Sequence, residues 1–132
     1  MALAGGGGML IRNVTRDAVL ADHAWVAKTR AQKGKGLLGL RGLAVGQGLV
    51  LEGTKSIHTM FMAFPIDVAF FDSNRRVAHI VGGMGPWRIS RIVLRAAGVV
   101  ELPAGTLGAT GTQVGDQLGF LAEGSRDSAA NE

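Results

Sequence analysis

The chain contains no cysteine and no tyrosine. Without cysteine there can be no disulfides, thiolate nucleophiles, iron–sulfur clusters or cysteine-ligated zinc sites. Without tyrosine one common general acid is gone. Charged residues are 18% of the total, against a usual ~25%. Aromatic residues make up only 5% and prolines number 3. Long apolar runs are missing as well. The strongest, residues 60–71, is broken by Pro65 and Asp67 and is too short to cross a bilayer. The amino terminus, Met1-Ala-Leu-Ala followed by four glycines, has neither a basic stretch nor a long apolar segment, so no secretory signal is expected there. A cytoplasmic protein without a membrane partner is expected.

What is abundant is glycine, at 21 of 132 residues, together with a hydrophobic fraction of 47%. That is a folding composition, rich in turns, and the length suits one domain. Lysine and arginine number 14 and the acids 10, which leaves a net charge of +4. The excess is mild and describes the field around the protein, not its fold.

Residues 1–8 read as a flexible leader and 124–132 as a disordered tail. Between them, residues 9–123 read as a single β domain: short apolar runs at 9–14, 24–27, 48–51, 60–71, 99–102 and 117–121, separated by turn residues. Ala21-Asp-His23 reads as a turn. Asp72-Ser-Asn-Arg75 reads as the turn of a hairpin in which residue numbers sum to 147, placing Val77 on the face of Ile66, Val68 and Phe70. Both faces of that hairpin are mostly apolar, which suits a sheet covered on two sides. Thr29 is the candidate cap of one helix over residues 29–40, where three glycines weaken the intrinsic propensity. The expected fold is mainly β, a β-sandwich or barrel-like domain of about seven short strands with one short helix near the amino terminus.

Candidate chemistry is sparse. Gly34-Lys-Gly36-Leu-Leu-Gly39 spells the dinucleotide fingerprint but lacks the strand before it and the acid about 20 residues after it. The histidines, His23, His58 and His79, are too far apart in sequence to read as a metal set. His79 reads as a core residue and His23 as a solvated one. His58 stands in a polar stretch between two apolar strands, nine residues before Asp67. A carboxylate within Pro-Ile-Asp-Val-Ala-Phe-Phe must find partners, because an unpaired buried charge is costly. The first reading is that Asp67 accepts backbone N–H groups and locks the fold; the second is that it meets His58 in a pocket. Trp87 follows three glycines within residues 82–85, on a loop where a large ring can cap a ligand. Phe61, Phe64, Phe70 and Phe71 are assigned to the core. That leaves the arginines at 75, 76, 88, 91 and 95 without the surface aromatics that binders of single strands use.

Several segments taken together resemble one family. They include Lys35-Gly-Leu-Leu-Gly39, Ser56-Ile-His-Thr59, Phe64-Pro-Ile-Asp-Val68, Pro86-Trp-Arg88, Val100-Glu-Leu-Pro-Ala-Gly105 and Val114-Gly-Asp116. Their order and spacing are similar to those of domain-of-unknown-function family 192, over residues 25–120. The resemblance implies a compact, mainly β fold with one short helix near the start, and it implies no established activity. It sets Pro65 and Asp67 on the family's Pro-Leu-Asp, Glu101 on its Leu-Glu and Gly115-Asp116 on its late turn. Met60 and Phe61 stand where many members have lysine and asparagine, and Leu40 stands where an arginine is usual.

The resulting expectation is a binding module for a peptide segment or small molecule, with His58, Thr59, Asp67 and Trp87 around its pocket. No catalytic residue, metal, cofactor or specific nucleic acid is expected. The alternatives are a small hydrolase or isomerase in which Asp67 orients His58 as general base, and a weak nucleic-acid binder using the arginines.

Overall fold

The computed structural model describes residues 8–28 and 36–122. Most of the expected leader, the first part of the expected helix and all of the expected tail lie outside these residues. The strands are β1 (Met9–Asn13), β2 (Ala18–Ala27), β3 (Gln47–Glu52), β4 (Ile66–Phe71), β5 (Val77–Met84), β6 (Gly98–Pro103) and β7 (Leu118–Ala122), and the helix α1 (Thr106–Thr110) lies between β6 and β7. All seven strands form one sheet in the order β5-β4-β6-β3-β2-β1-β7. Neighbours are antiparallel except β2 and β3, which are parallel. A parallel pair requires a long return connection, here residues 28–46.

The sheet curls until its two edges approach. Arg76, just before β5, and Gln117, just before β7, join through an isolated antiparallel bridge. Backbone bonds from Val77 N to Asp116 O and from Leu118 N to Arg75 O extend that seam. Inside the curl pack Ile11, Leu20, Ala24, Val50, Phe71, Val100, Leu102, Leu107 and Leu118. The outer face carries a second core of Trp25, Leu49, Leu51, Ile66, Val68, Phe70 and Val99. Leu37, Ile57, Met62, Val93 and Ala96 cover it from the connections before β3, before β4 and before β6. Burial on both faces is why the strands read as near-continuous apolar runs. Gly98 marks a tight spot between the layers, since a Cβ there would lie 2.5 Å from the Phe71 ring.

Four expectations need correction. Among the described residues, the helix lies near the carboxy terminus. Residues 36–39 form turns, with Gly36 and Gly39 at φ 47° and 85°, values that a helix does not accept. Residues 21–23 belong to β2. A register shift in the β1–β2 ladder lets Ala21 and Ala24 both face inward while Asp22 and His23 face solvent, a bulge that breaks the two-residue period. The β4–β5 hairpin exists, but its pairs are Phe70↔His79, Ala69↔Ile80 and Val68↔Val81. A shift next to Phe71↔Val77 puts Val77 in the inner core and Ala78 in the outer one. Finally, Gly82 and Gly83 continue β5 and do not start a loop.

Candidate functional site

The connection before β4 and the connection after β5 run side by side on the outer face. His58 and Ile89 form an isolated antiparallel bridge. Ser90 N donates to Ile57 O at 2.8 Å and Val93 N to Lys55 O at 2.7 Å. Thr59 is the clamp between the two segments. Its backbone N donates to Arg88 O and its O accepts from Trp87 N. Its buried hydroxyl donates to Gly85 O at 2.6 Å and accepts from Arg88 N at 2.9 Å. Trp87 is thereby held from both sides at φ 63°, and Phe61 across from it stands at φ 66°. Bulky residues rarely adopt this conformation. Their rings meet at 4.6 Å between centroids, with Phe61 72% and Trp87 56% exposed. Phe61 is therefore a surface residue, contrary to its expected place in the core. It is Thr59 that spends its side chain inward.

Of the four expected site residues, the structure joins Thr59 and Trp87 directly and sets His58 beside Thr59 in the chain. His58 is exposed and its Nδ1 accepts the Met60 N–H at 3.2 Å. Asp67 is elsewhere. It pairs with Leu102, a residue of the inner core, and both of its oxygens are occupied. Oδ1 accepts Gly83 N–H at 2.8 Å, and Oδ2 accepts Leu107 N–H at 2.9 Å in the first turn of α1. It binds β4 to the end of β5 and to the helix, as the fold-locking reading anticipates, and it does not orient His58. His79 is half-buried against Phe70 at 5.9 Å.

A cavity of about 310 Å³ opens on the outer face, beside His58. Leu37, Leu51, Ile57 and Met62 form apolar walls, Thr54, Ser56 and His58 bring polar groups, and Glu101 lies at its floor. Glu101 sits in the middle of β6, flanked across the ladder by Leu49 and Val68, and is 5% exposed. Among the described residues, no hydrogen bond or ion pair reaches it. Burial alone pushes its carboxyl up from 4.5 to about 7. Sequence reasoning used Glu101 only as a family landmark. The signal was present, because an acid within Gly-Val-Val-Glu-Leu-Pro poses the same question as Asp67 in its own apolar run.

Another hollow, about 450 Å³, lies between β2 and α1 and is mainly apolar. A further one, about 570 Å³, passes over Asp67, whose oxygens are already used. Among the described residues, no three metal-ligating side chains gather, and no helix is long and apolar enough to cross a membrane.

One curled, seven-stranded sheet with loops packed over its outer face defines a small, mainly β protein. The profile of the family described as "Uncharacterized ACR", domain-of-unknown-function family 192, matches residues 10–120, and the chain belongs to that family, as its motifs imply. A UPF0127 protein of Thermococcus sibiricus is 29% identical over 122 residues, spanning 89% of this chain and 78% of that one. A UPF0127 protein of Pyrococcus horikoshii is 40% identical over 63 residues, 48% of this chain and 54% of its own length. A solved structure of a protein of unknown function from Novosphingobium aromaticivorans is similar with a TM-score of 0.74 and 18% identity, over 90% of this chain and 93% of that chain. A Sinorhizobium meliloti protein described as a "putative transcription regulator" is similar with a TM-score of 0.75 and 21% identity, over 91% and 98%. At such identities the likeness is one of fold.

Proposed function

We propose that the chain is a small binding module and that a peptide segment or small molecule enters the cavity over Glu101. One observation carries this reading: the carboxyl of a largely buried residue, with no partner among the described residues, faces a hollow with apolar walls. Buried polar groups in folded proteins are nearly always paired, and a concave apolar site with a few convergent polar groups is the usual form of a ligand pocket. The test is chemical-shift mapping of the labelled chain against a fragment library. Shifts should gather at Leu37, Leu51, Ile57, Met62 and Glu101, and Leu38→Trp, which fills the mouth, should abolish them. Shifts that gather instead around residues 103–110 would move the site to the other hollow and sink this reading.

A second reading rests on the neighbouring surface. Arg88, Arg91 and Arg95 are exposed and alternate with Trp87, Ile89, Ile92 and Leu94, next to the Phe61–Trp87 ring pair. Stacking rings beside cationic side chains suit a single-stranded nucleic acid. Binding of this kind is weak and falls steeply with salt, because it rests on phosphate contacts. Affinity for an oligonucleotide that survives high salt and depends on base sequence would contradict it. The general-base reading has no comparable support, because Asp67 and His58 are engaged separately.

A further inference from the structure

Glu101 differs from every other buried acid described in the fold. Asp67 accepts two backbone N–H groups. Asp116 accepts from Asn13, Arg16 and Gln113. Glu52, at the surface, is bidentate with Arg75. Glu101 has only the cavity. Among the described residues, Lys55 Nζ donates to Leu94 O and Ala96 O at 2.8 and 2.7 Å, and Arg41 is exposed. The one other titratable group lining the cavity, among the described residues, is His58. Thr54 and Ser56 add hydroxyls, and no hydrogen bond among the described residues uses either side chain.

We infer that the cavity takes a positively charged nitrogen, an ammonium or guanidinium, carried on a short apolar stem such as a lysine or arginine side chain presents. This rests on the reading of the cavity as a binding site. The argument is one of complementarity. The walls, Leu37, Leu38, Leu51, Ile57 and Met62, fit methylenes and offer water few partners. The floor offers acceptor oxygens that no N–H of the described residues uses. A cation reaching them makes a charge-assisted bond in a poorly screened place, roughly twice as strong as a neutral one. An anion would be repelled there, and a neutral donor would gain less. The net charge of +4 works against a cation at long range, so recognition comes from the floor of the cavity and not from the overall field. In the free protein the acid holds its proton up to about pH 7. Cation binding favours the carboxylate, so the proton leaves as the ligand enters.

The test uses the full chain with three probes of one shape, pentylammonium, pentanol and pentanoate, followed by NMR of the Glu101 carboxyl carbon. At about pH 8 pentylammonium should bind about tenfold or more tightly than pentanol, with pentanoate weakest. At about pH 5.5 that preference should shrink, because the carboxyl must first give up its proton. The Glu101 titration should move from near 7 back towards its ordinary value when pentylammonium is present. Glu101→Gln should erase the difference between ammonium and alcohol. If pentanol or pentanoate binds as well as pentylammonium, or the preference survives in Glu101→Gln, the cation inference fails while the cavity remains a binding site. If Glu101 titrates at an ordinary carboxylate value in the free chain, it already has a partner and the inference fails. If no probe perturbs the cavity, the inference and the binding reading fall together.

Discussion

Asp116 and Glu101 are both buried, 4% and 5% exposed, yet they titrate in opposite directions. Asp116 lies at the seam where the curled sheet closes. Burial pushes its carboxyl up, but hydrogen bonds from Arg16, Asn13 and the Gln113 N–H, with the charge of Arg16, outweigh that and hold it at about 2. Glu101 lies under the outer loops, where burial meets no opposing partner, and it rises to about 7. Burial pushes both carboxyls up, more strongly at the deeper Glu101, and partners pull only Asp116 down. The seam is built to be finished by the chain itself. The cavity is left unfinished.

The largest effect should come from breaking the finished side. Asp116→Ala removes one acceptor each from Asn13, which keeps Thr112, and Arg16, which keeps Gln113, and frees the Gln113 N–H. It should lower stability by about 2–4 kcal/mol in urea unfolding at neutral pH; a loss below about 1 kcal/mol would show the network to be ornamental. Asp67→Ala leaves the Gly83 and Leu107 amides without acceptors and should cost about 2–4 kcal/mol. An unchanged melting temperature would remove Asp67 as a lock.

Glu101 should behave oppositely. Its folded pKa lies above its unfolded one, so the native state holds the proton more tightly. Its stabilising contribution is complete below about pH 4.5 and is lost as pH rises to about 7, by an amount on the order of 3 kcal/mol. For Asp116 the sign reverses: its contribution is present above its ordinary 3.8 and fades as pH falls towards 2. Glu101→Gln should flatten the upper of these two slopes and make the chain more stable than the parent at about pH 8, by roughly 1–3 kcal/mol. A variant that keeps the slope would place the titrating group elsewhere.

The smallest effect is optical. Trp87 is 56% exposed and Trp25 6%, so Trp25→Phe, which retains Trp87, should stay open to collisional quenching, whereas Trp87→Phe should resist it. Equal quenching of the two would mean that the clamp around Thr59 does not hold Trp87 out in solution.

The finished half of this comparison was the more legible half. Asp67 could be read as a lock because an acid in an apolar strand has few options, and the strands around it follow from apolar runs and turn residues. What escaped were places where the period breaks. The bulge near Asp22 and His23 hid half of β2, and the shift beside Val77 changed its face. Turn glycines at positive φ stood where a helical pattern was read. Phe61 escaped because hydrophobicity says that a ring tends to be buried, not that a neighbouring threonine takes the inward place. The expected pocket placed Asp67 with His58 because they are close in sequence. The sheet separates them, and it brings Glu101, more than forty residues from His58 in the chain, into the cavity that His58 borders.

The strand order also has a consequence for how this protein is made. Of the strands in this sheet β1 is synthesised first, and its second neighbour, β7, last. Asn13 and the Asp116 carboxylate that completes its network are 103 positions apart. Until nearly the whole domain has been synthesised, one side of the first strand has its hydrogen-bonding edge open. Such long-range closure slows folding and leaves an edge exposed to strand pairing with other chains. The seam that finishes the native protein is thus also the last part of it to form, and the nascent chain is most vulnerable in the interval before β7 arrives.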